Sequence, residues 1–206
     1  MDGLILDTEQ SYFYAWQQAA QSLGYGLSHE FCESLSGLPF SILEQRLIQL
    51  FGEKFPLKEF YSLSSGAWRS EVNQNGIAVK RGAYELLATF KEKSIPYCLA
   101  TNSPEQNARE CLQYAGIEGY FELMVCRDHV HRPKPAADIF LQAAQVLCQP
   151  IESCFVVEDS LTGLLAAKNA NAFSVLVPST QVDEQMRQLA GLICNDLLEL
   201  SLLLVE

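Results

Sequence analysis

The chain predicts an α/β fold: a parallel sheet covered by helices, with an all-helical module inserted close to the N-terminus. Three observations carry that expectation. Four short apolar runs, at 95–100, 121–126, 154–157 and 173–177, alternate with helix-length segments. Strands buried on both faces read as continuous apolar runs of this kind, whereas half-exposed strands alternate apolar with polar. Between Glu9 and Val72, by contrast, apolar residues fall at helical spacing without strand-like alternation.

In chain order, Phe13, Trp16, Ala19, Ala20 and Leu23 share one helical stripe, and Gly24 suits the position just past a helix end. A second helix is expected within 28–35. A third is expected within 39–51, with Phe40, Leu43, Leu47 and Leu50 on one stripe and Gly52 closing it. A fourth fills much of 58–72, and Asn73-Gln74-Asn75-Gly76 reads as a linker. Beyond Gly76, helices over 83–92, 104–115, 135–147 and 161–169 separate the apolar runs, as in successive βαβ units. The expected division is a core of 1–9 with 76–206 and a helical module of 10–75.

Composition narrows the partners. With 49% apolar and 19% charged residues, the balance is that of a globular chain. A formal charge of −11 leaves no basic face to displace counterions, which excludes nucleic acid as the main partner. A small phosphorylated metabolite is compatible, because a divalent cation can neutralise it locally. The seven cysteines form no C-x-x-C pair and read as buried free thiols in a reducing cytoplasm. The apolar stretch 197–205 is interrupted by Glu199 and Ser201 and is far short of the ~20 residues that span a bilayer. The expectation is a cytoplasmic monomer or weak dimer without membrane attachment.

Ligands of open α/β sheets bind beyond the carboxyl ends of the strands, and the notable polar residues collect there. Thr101 and Asn102 follow one apolar run, and Ser103-Pro104 suits a helix start; a hydroxyl, an amide and free helix N–H groups can cradle a phosphate or simply cap the helix. Lys134, between Pro133 and Pro135, offers a constrained cation for a phosphoryl oxygen and a carboxylate. Glu158 and Asp159 follow another run and can supply hard oxygen ligands to Mg²⁺, or begin a helix with Asp159 or Ser160 as cap. His129 and His131 have a two-ligand spacing, but no third His or Cys ligand follows nearby.

The ordered set Asp2, Thr101, Lys134 and Glu158-Asp159 resembles the haloacid dehalogenase superfamily of phosphohydrolases, in its β-phosphoglucomutase-like and phosphoglycolate phosphatase-like branch. Residues 1–9 look like the first motif, 95–103 the second, 134–140 the third and 157–167 the fourth, with Gly163, Ala166 and Ala167 in register. The resemblance implies a Rossmann-like parallel sheet with an inserted helical cap. It also implies a Mg²⁺-dependent phosphatase acting on a small phosphomonoester, such as a sugar phosphate, phosphoglycolate or a nucleotide, through an aspartyl phosphate. Asp2 would be the general acid/base, with its carbonyl on Mg²⁺. Thr101 and Asn102 would bind the phosphoryl group, and Lys134 would hold phosphate and nucleophile. Asp159 would bind Mg²⁺ with Glu158 in support.

The resemblance also marks a gap. The family nucleophile stands two residues before the acid/base, and Asp2 is preceded only by Met1. The strand leading into it, central in this fold, is likewise absent from the chain as written. Two readings follow: the working protein starts upstream, or the chain is an inactive phosphate- or metal-binding relative. Within the branch, sugar-phosphate mutases resemble one another in carrying a His a few residues after the Asp-Thr and an Arg in the cap, and the corresponding positions here look like Tyr12 and Phe40. That favours a phosphatase over a mutase. Ser36-Gly37-Leu38, Phe40 and Trp68-Arg69 are the candidate substrate-facing residues, with Gly37 and Arg69 as binding residues; cap packing is the alternative role for Phe40 and Trp68.

Overall fold

A computed structural model describes residues 1–35, 40–179 and 181–205, the side chains of Phe40 and Ser41 excepted. The chain divides into two compact units, Thr8–Ile77 on one hand and Met1–Asp7 with Ala78–Glu206 on the other.

The first unit contains α1 (Glu9–Ser22), α2 (His29–Glu33), α3 (Phe40–Phe51) and α4 (Leu57–Asn75). Its core joins Phe13, Ala20, Leu35, Leu47, Phe55 and Phe60, all buried. Helix α2 starts at Ser28, whose hydroxyl accepts from the Phe31 N–H. On α3, Leu43 and Leu47 are buried, whereas Leu50 is 48% exposed, so the apolar stripe is narrower than the periodicity suggests. Helix α4 runs on through Asn73, Gln74 and Asn75, where the sequence suggests a linker. The Asn75 amide donates to Glu71 Oε1 at 2.7 Å, and Gly76, at φ 71°, ends the helix where a side chain would be strained. The indole N–H of Trp68 donates to Ser11 Oγ at 3.1 Å, and its ring stacks on Tyr12 at 5.6 Å; Trp68 is a packing residue.

In the second unit, β1 (Leu6–Asp7) pairs antiparallel with β2 (Ala78–Val79). Helix α5 (Ala83–Glu92) leads to β3 (Leu99–Ala100), and α6 (Glu105–Tyr114) leads to β4 (Met124–Val125). Then follow α7 (Asp138–Val146), β5 (Phe155–Glu158), α8 (Leu161–Ala170) and β6 (Phe173–Leu176). The chain closes with α9 (Glu184–Leu189), β7 (Leu192–Ile193) and α10 (Leu197–Leu203). Strands β3 and β4 are parallel, as are β5, β6 and β7, in that order. The parallel pairing that continuous apolar runs predict is therefore present.

The apolar stretch at the C-terminus is α10. It buries Leu197 and Leu200, and its Ser201 hydroxyl shares a 2.8 Å hydrogen bond with Thr89 of α5. Among the described residues no helix is long and apolar enough to cross a membrane. All seven cysteines are free thiols; Cys32, Cys111, Cys126 and Cys194 are buried, whereas Cys98 and Cys154 are half-buried and Cys148 is exposed.

Among the described residues no backbone ladder joins β3 to β5. Between them lies an apolar cavity of about 290 Å³, lined along one side by residues 95–100 and along another by 153–158.

Candidate active site

The carboxyl ends of β3 and β5 gather most of the polar residues singled out from the sequence. Thr101 leaves β3 buried, and its Oγ1 accepts the Ser103 N–H at 3.1 Å. A hydroxyl that accepts one bond keeps its own proton to donate. Asn102 is exposed and clasps the neighbouring loop. The Lys134 N–H donates to Asn102 Oδ1 at 3.0 Å, and Asn102 Nδ2 donates to the Lys134 carbonyl at 3.4 Å. Its amide thus helps to hold the Lys134 loop and keeps a second N–H.

Lys134 is the centre of the arrangement. Its Nζ donates to the Ala100 carbonyl at 3.1 Å and pairs with the Glu158 carboxylate, tying the end of β3 to the end of β5. The two side chains are only 8% and 6% exposed. The ammonium also lies 4.8 Å from the centre of the Phe140 ring, a favourable cation–π position. An ammonium has three N–H donors, so two acceptors leave a third for a ligand.

Burial opposes the charge of Glu158, but Lys134 outweighs it with help from the Met1 ammonium and Ser160, so the carboxyl stays below its ordinary range. Ser160 does two things at once. Its hydroxyl donates to Glu158 Oε2 at 3.2 Å, and its oxygen accepts the Gly163 N–H at 3.1 Å, capping α8. Gly163 lies so close to the Glu158 carboxylate that any Cβ there would overlap it.

Among the described residues, the Met1 ammonium is the cation that acts on the Asp159 carboxylate. Burial and the adjacent Glu158 charge push it up to about 6, against the Met1 ammonium and a 2.9 Å bond donated by Ser179 Oγ. Gly3 rests directly against Asp159 Oδ2. Its φ of +72° and the overlap that a Cβ would cause both require glycine. This contact brings the chain's first residues to the end of β5. Asp2 turns the other way, and Ser103 Oγ donates to its Oδ2 at 2.8 Å.

Ser103 is therefore not the cap of α6 that the sequence suggests. Pro104 is extended (ψ 150°), which sets Ser103 outside the helix, and Asp128 Oδ1 accepts the Glu105 N–H at 3.0 Å instead. Ser179, beyond β6, escaped the sequence reading because one serine after an apolar run carries no distinguishing signal. Gly3 escaped because its role depends on an approach by a residue far along the chain. Of the remaining candidates, Ser36, Gly37 and Leu38 lie outside the described residues, as does the side chain of Phe40. Arg69 is an exposed residue of α4 in the helical unit.

Asp2, Glu158 and Asp159 do not bring their oxygens within 4.8 Å of one another; among the described residues the trio that does is Glu105, Asp128 and His129. That trio is an internal network. His129 Nδ1 accepts the Cys126 N–H at 3.1 Å, which leaves the proton on Nε2 to donate to Glu105 at 3.0 Å. Neither ring nitrogen keeps a lone pair for a metal, in line with the missing third ligand.

The profile of the haloacid dehalogenase-like hydrolases matches residues 1–177. The chain belongs to that family. A phosphorylated carbohydrates phosphatase of Thermotoga maritima is 31% identical over 173 residues, covering 82% of this chain and 78% of its own. The β-phosphoglucomutase of Bacillus subtilis (strain 168) is 28% identical over 207 residues, covering 93% and 88%. A solved Thermotoga maritima structure with a provisional β-phosphoglucomutase assignment superposes at a TM-score of 0.84, with 28% identity over 98% of this chain and 95% of that one.

Hydrolases of this family generally use a divalent metal. The residues present fit one, because Glu158 and Asp159 place two adjacent carboxylates at one strand end with a single buried ammonium between them and β3. The raised Asp159 pKa marks a site where added positive charge would be stabilising.

Proposed function

We propose that this family member serves as a Mg²⁺-dependent phosphatase for a small phosphomonoester. The observation that carries the reading is Lys134, a buried ammonium spanning the ends of β3 and β5 beside the buried Thr101 hydroxyl. Preorganised donors in a water-poor site are what phosphoryl transfer requires, since its charge spreads over the equatorial oxygens.

In this reading Thr101 donates its hydroxyl proton to one phosphoryl oxygen and the third Lys134 N–H serves another. Asn102 keeps Lys134 on station through its two bonds to the loop. Asp2, oriented by Ser103, gives a proton to the departing alkoxide and later takes one from the attacking water. Asp159, supported by Glu158, and the Asp2 carbonyl would hold Mg²⁺, which supplies charge neutralisation when bound. The carboxylate that attacks phosphorus would stand two positions before Asp2, ahead of Met1. Tyr12 stacks on Trp68 where the mutases tend to carry a His, which supports phosphatase over mutase. Arg69 and Gly37 remain the proposed substrate contacts of the helical unit.

The test is Mg²⁺-dependent phosphate release from an aryl phosphate by the chain as written and by a version extended upstream with an apolar run ending in Asp-x. Activity of the extended form that disappears on Asp159→Ala is the expected result. Inactivity of both, with metal binding retained, would overturn the phosphatase reading in favour of a binding protein.

A further inference from the structure

We infer that Ser179 is a positioning residue that sets ion selectivity: it occupies one oxygen of Asp159, so that the carboxylate meets a cation through the other alone. This selectivity rests on the metal site of the proposed reading and on none of its catalytic steps.

Three observations meet at Asp159. The first is the bond itself. Ser179 Oγ donates to Asp159 Oδ2 at 2.9 Å. Gly3 lies against the same oxygen, so closely that an added Cβ would overlap it and crowd the Ser179 hydroxyl. The N–H of Asp159 itself also bonds the carboxylate, which further restrains it from turning. Oδ2 is thus bonded on one side and covered on another, and a cation is left the approach through Oδ1.

The second is the placement of the hydroxyl. The Val177 N–H donates to the Glu158 carbonyl at 2.8 Å, which registers the chain leaving β6 against the residue before Asp159. Val177 is buried, and Pro178 fixes the next φ. Ser179 is therefore delivered from a strand end, two residues past a ladder bond.

The third is the neighbouring carboxylate. Glu158 Oε1 pairs with Lys134, and Glu158 Oε2 accepts from Ser160. Gly163 packs against the same group, so Glu158 is fixed where it stands and does not swing to offer a cation a further oxygen.

Ion chemistry turns this geometry into a preference. Mg²⁺ keeps several waters in a small octahedral shell and takes one or two carboxylate oxygens. Ca²⁺ takes six to eight oxygens and gains from a carboxylate that grips with both. A carboxylate restricted to Oδ1 suits the first ion and withholds a ligand from the second. Without the Ser179 hydroxyl, Oδ2 can turn towards the ion and supply it.

Calorimetric titration with magnesium chloride and with calcium chloride at pH 7.5 tests this, in the parent, Ser179→Ala, Ser179→Thr and Asp159→Ala. The parent should bind Mg²⁺ more tightly than Ca²⁺. In Ser179→Ala that preference should fall by about tenfold, the lower end of what losing an outer partner does to a metal site. Ser179→Thr keeps the hydroxyl and should retain the preference. A mere loss of packing would weaken both ions together and leave their ratio alone. An unchanged ratio in Ser179→Ala, with Mg²⁺ binding abolished in Asp159→Ala, would overturn the role of Ser179 and leave the metal site standing. Full Mg²⁺ binding by Asp159→Ala would overturn both. A parent chain that binds Ca²⁺ as tightly as Mg²⁺ would overturn the role of Ser179 whether or not any variant folds.

Discussion

Replacing Lys134 with Met tests the joint between β3 and β5. The substitution keeps much of the side-chain volume but leaves the Glu158 carboxylate, 6% exposed, without its cation and the Ala100 carbonyl without its donor. Removing one partner of a buried pair costs about 3–5 kcal/mol, and an orphaned buried acceptor about 1–3 kcal/mol more at most, since the two losses share one ammonium. A total near 4 kcal/mol would consume a large share of a domain's stability, typically about 5–15 kcal/mol. Urea unfolding at pH 7 without metal reads it. The pH dependence supplies a sign. In the parent chain Glu158 is held below its ordinary range, so its contribution is present above the unfolded carboxyl pKa and fades as pH falls through the folded one. In the variant the Lys134 charge no longer offsets burial, which favours the protonated form, so the gap between the proteins should narrow from pH 7 towards pH 4. A cost below about 1 kcal/mol, or a gap independent of pH, would refute the buried-pair argument.

Three further outcomes follow from the same contacts. Because Asp159 titrates near 6, stabilisation of the folded chain by Mg²⁺ should be full at pH 7.5 and shrink as pH falls through about 6; a melting shift unchanged between pH 7.5 and 5 would contradict this. Gly3→Ala should lower the melting temperature and weaken Mg²⁺ binding together, since the methyl group meets Asp159 and φ is +72°; a neutral substitution would show that the contact is loose. Ser160→Ala removes the α8 cap and one Glu158 donor and should cost about 1–2 kcal/mol in urea unfolding, whereas Ser160→Asp should restore the cap but not the donor.

The parallel strands were legible because burial on both faces writes itself as uninterrupted Val, Leu, Cys and Phe. The two-residue ladders β2 and β7 were not, since two residues carry no period. Helix α4 overran its expected end because Asn73 to Asn75 are polar without breaking a helix, and the stop signal is Gly76 alone. At the site, Thr101, Lys134 and the Glu158-Asp159 pair were legible from their positions at strand ends. Ser103, Ser179 and Gly3 were not, because their roles rest on contacts with residues distant in the chain: Asp2 for the first, Asp159 for the other two. Asn102 stood out by its place after β3, but the two bonds by which it secures the Lys134 loop could not be read there.

The central claim is that Thr101, Lys134 and the Asp159 carboxylate form one metal-assisted phosphate site. Titration calorimetry of the chain with inorganic phosphate, with and without Mg²⁺, tests it without requiring the attacking carboxylate. Phosphate binding should need Mg²⁺ and weaken by at least about tenfold, or about 1.4 kcal/mol, in Thr101→Val. Phosphate binding indifferent to both Mg²⁺ and Thr101, in a chain whose unfolding shows it to be native, would contradict it.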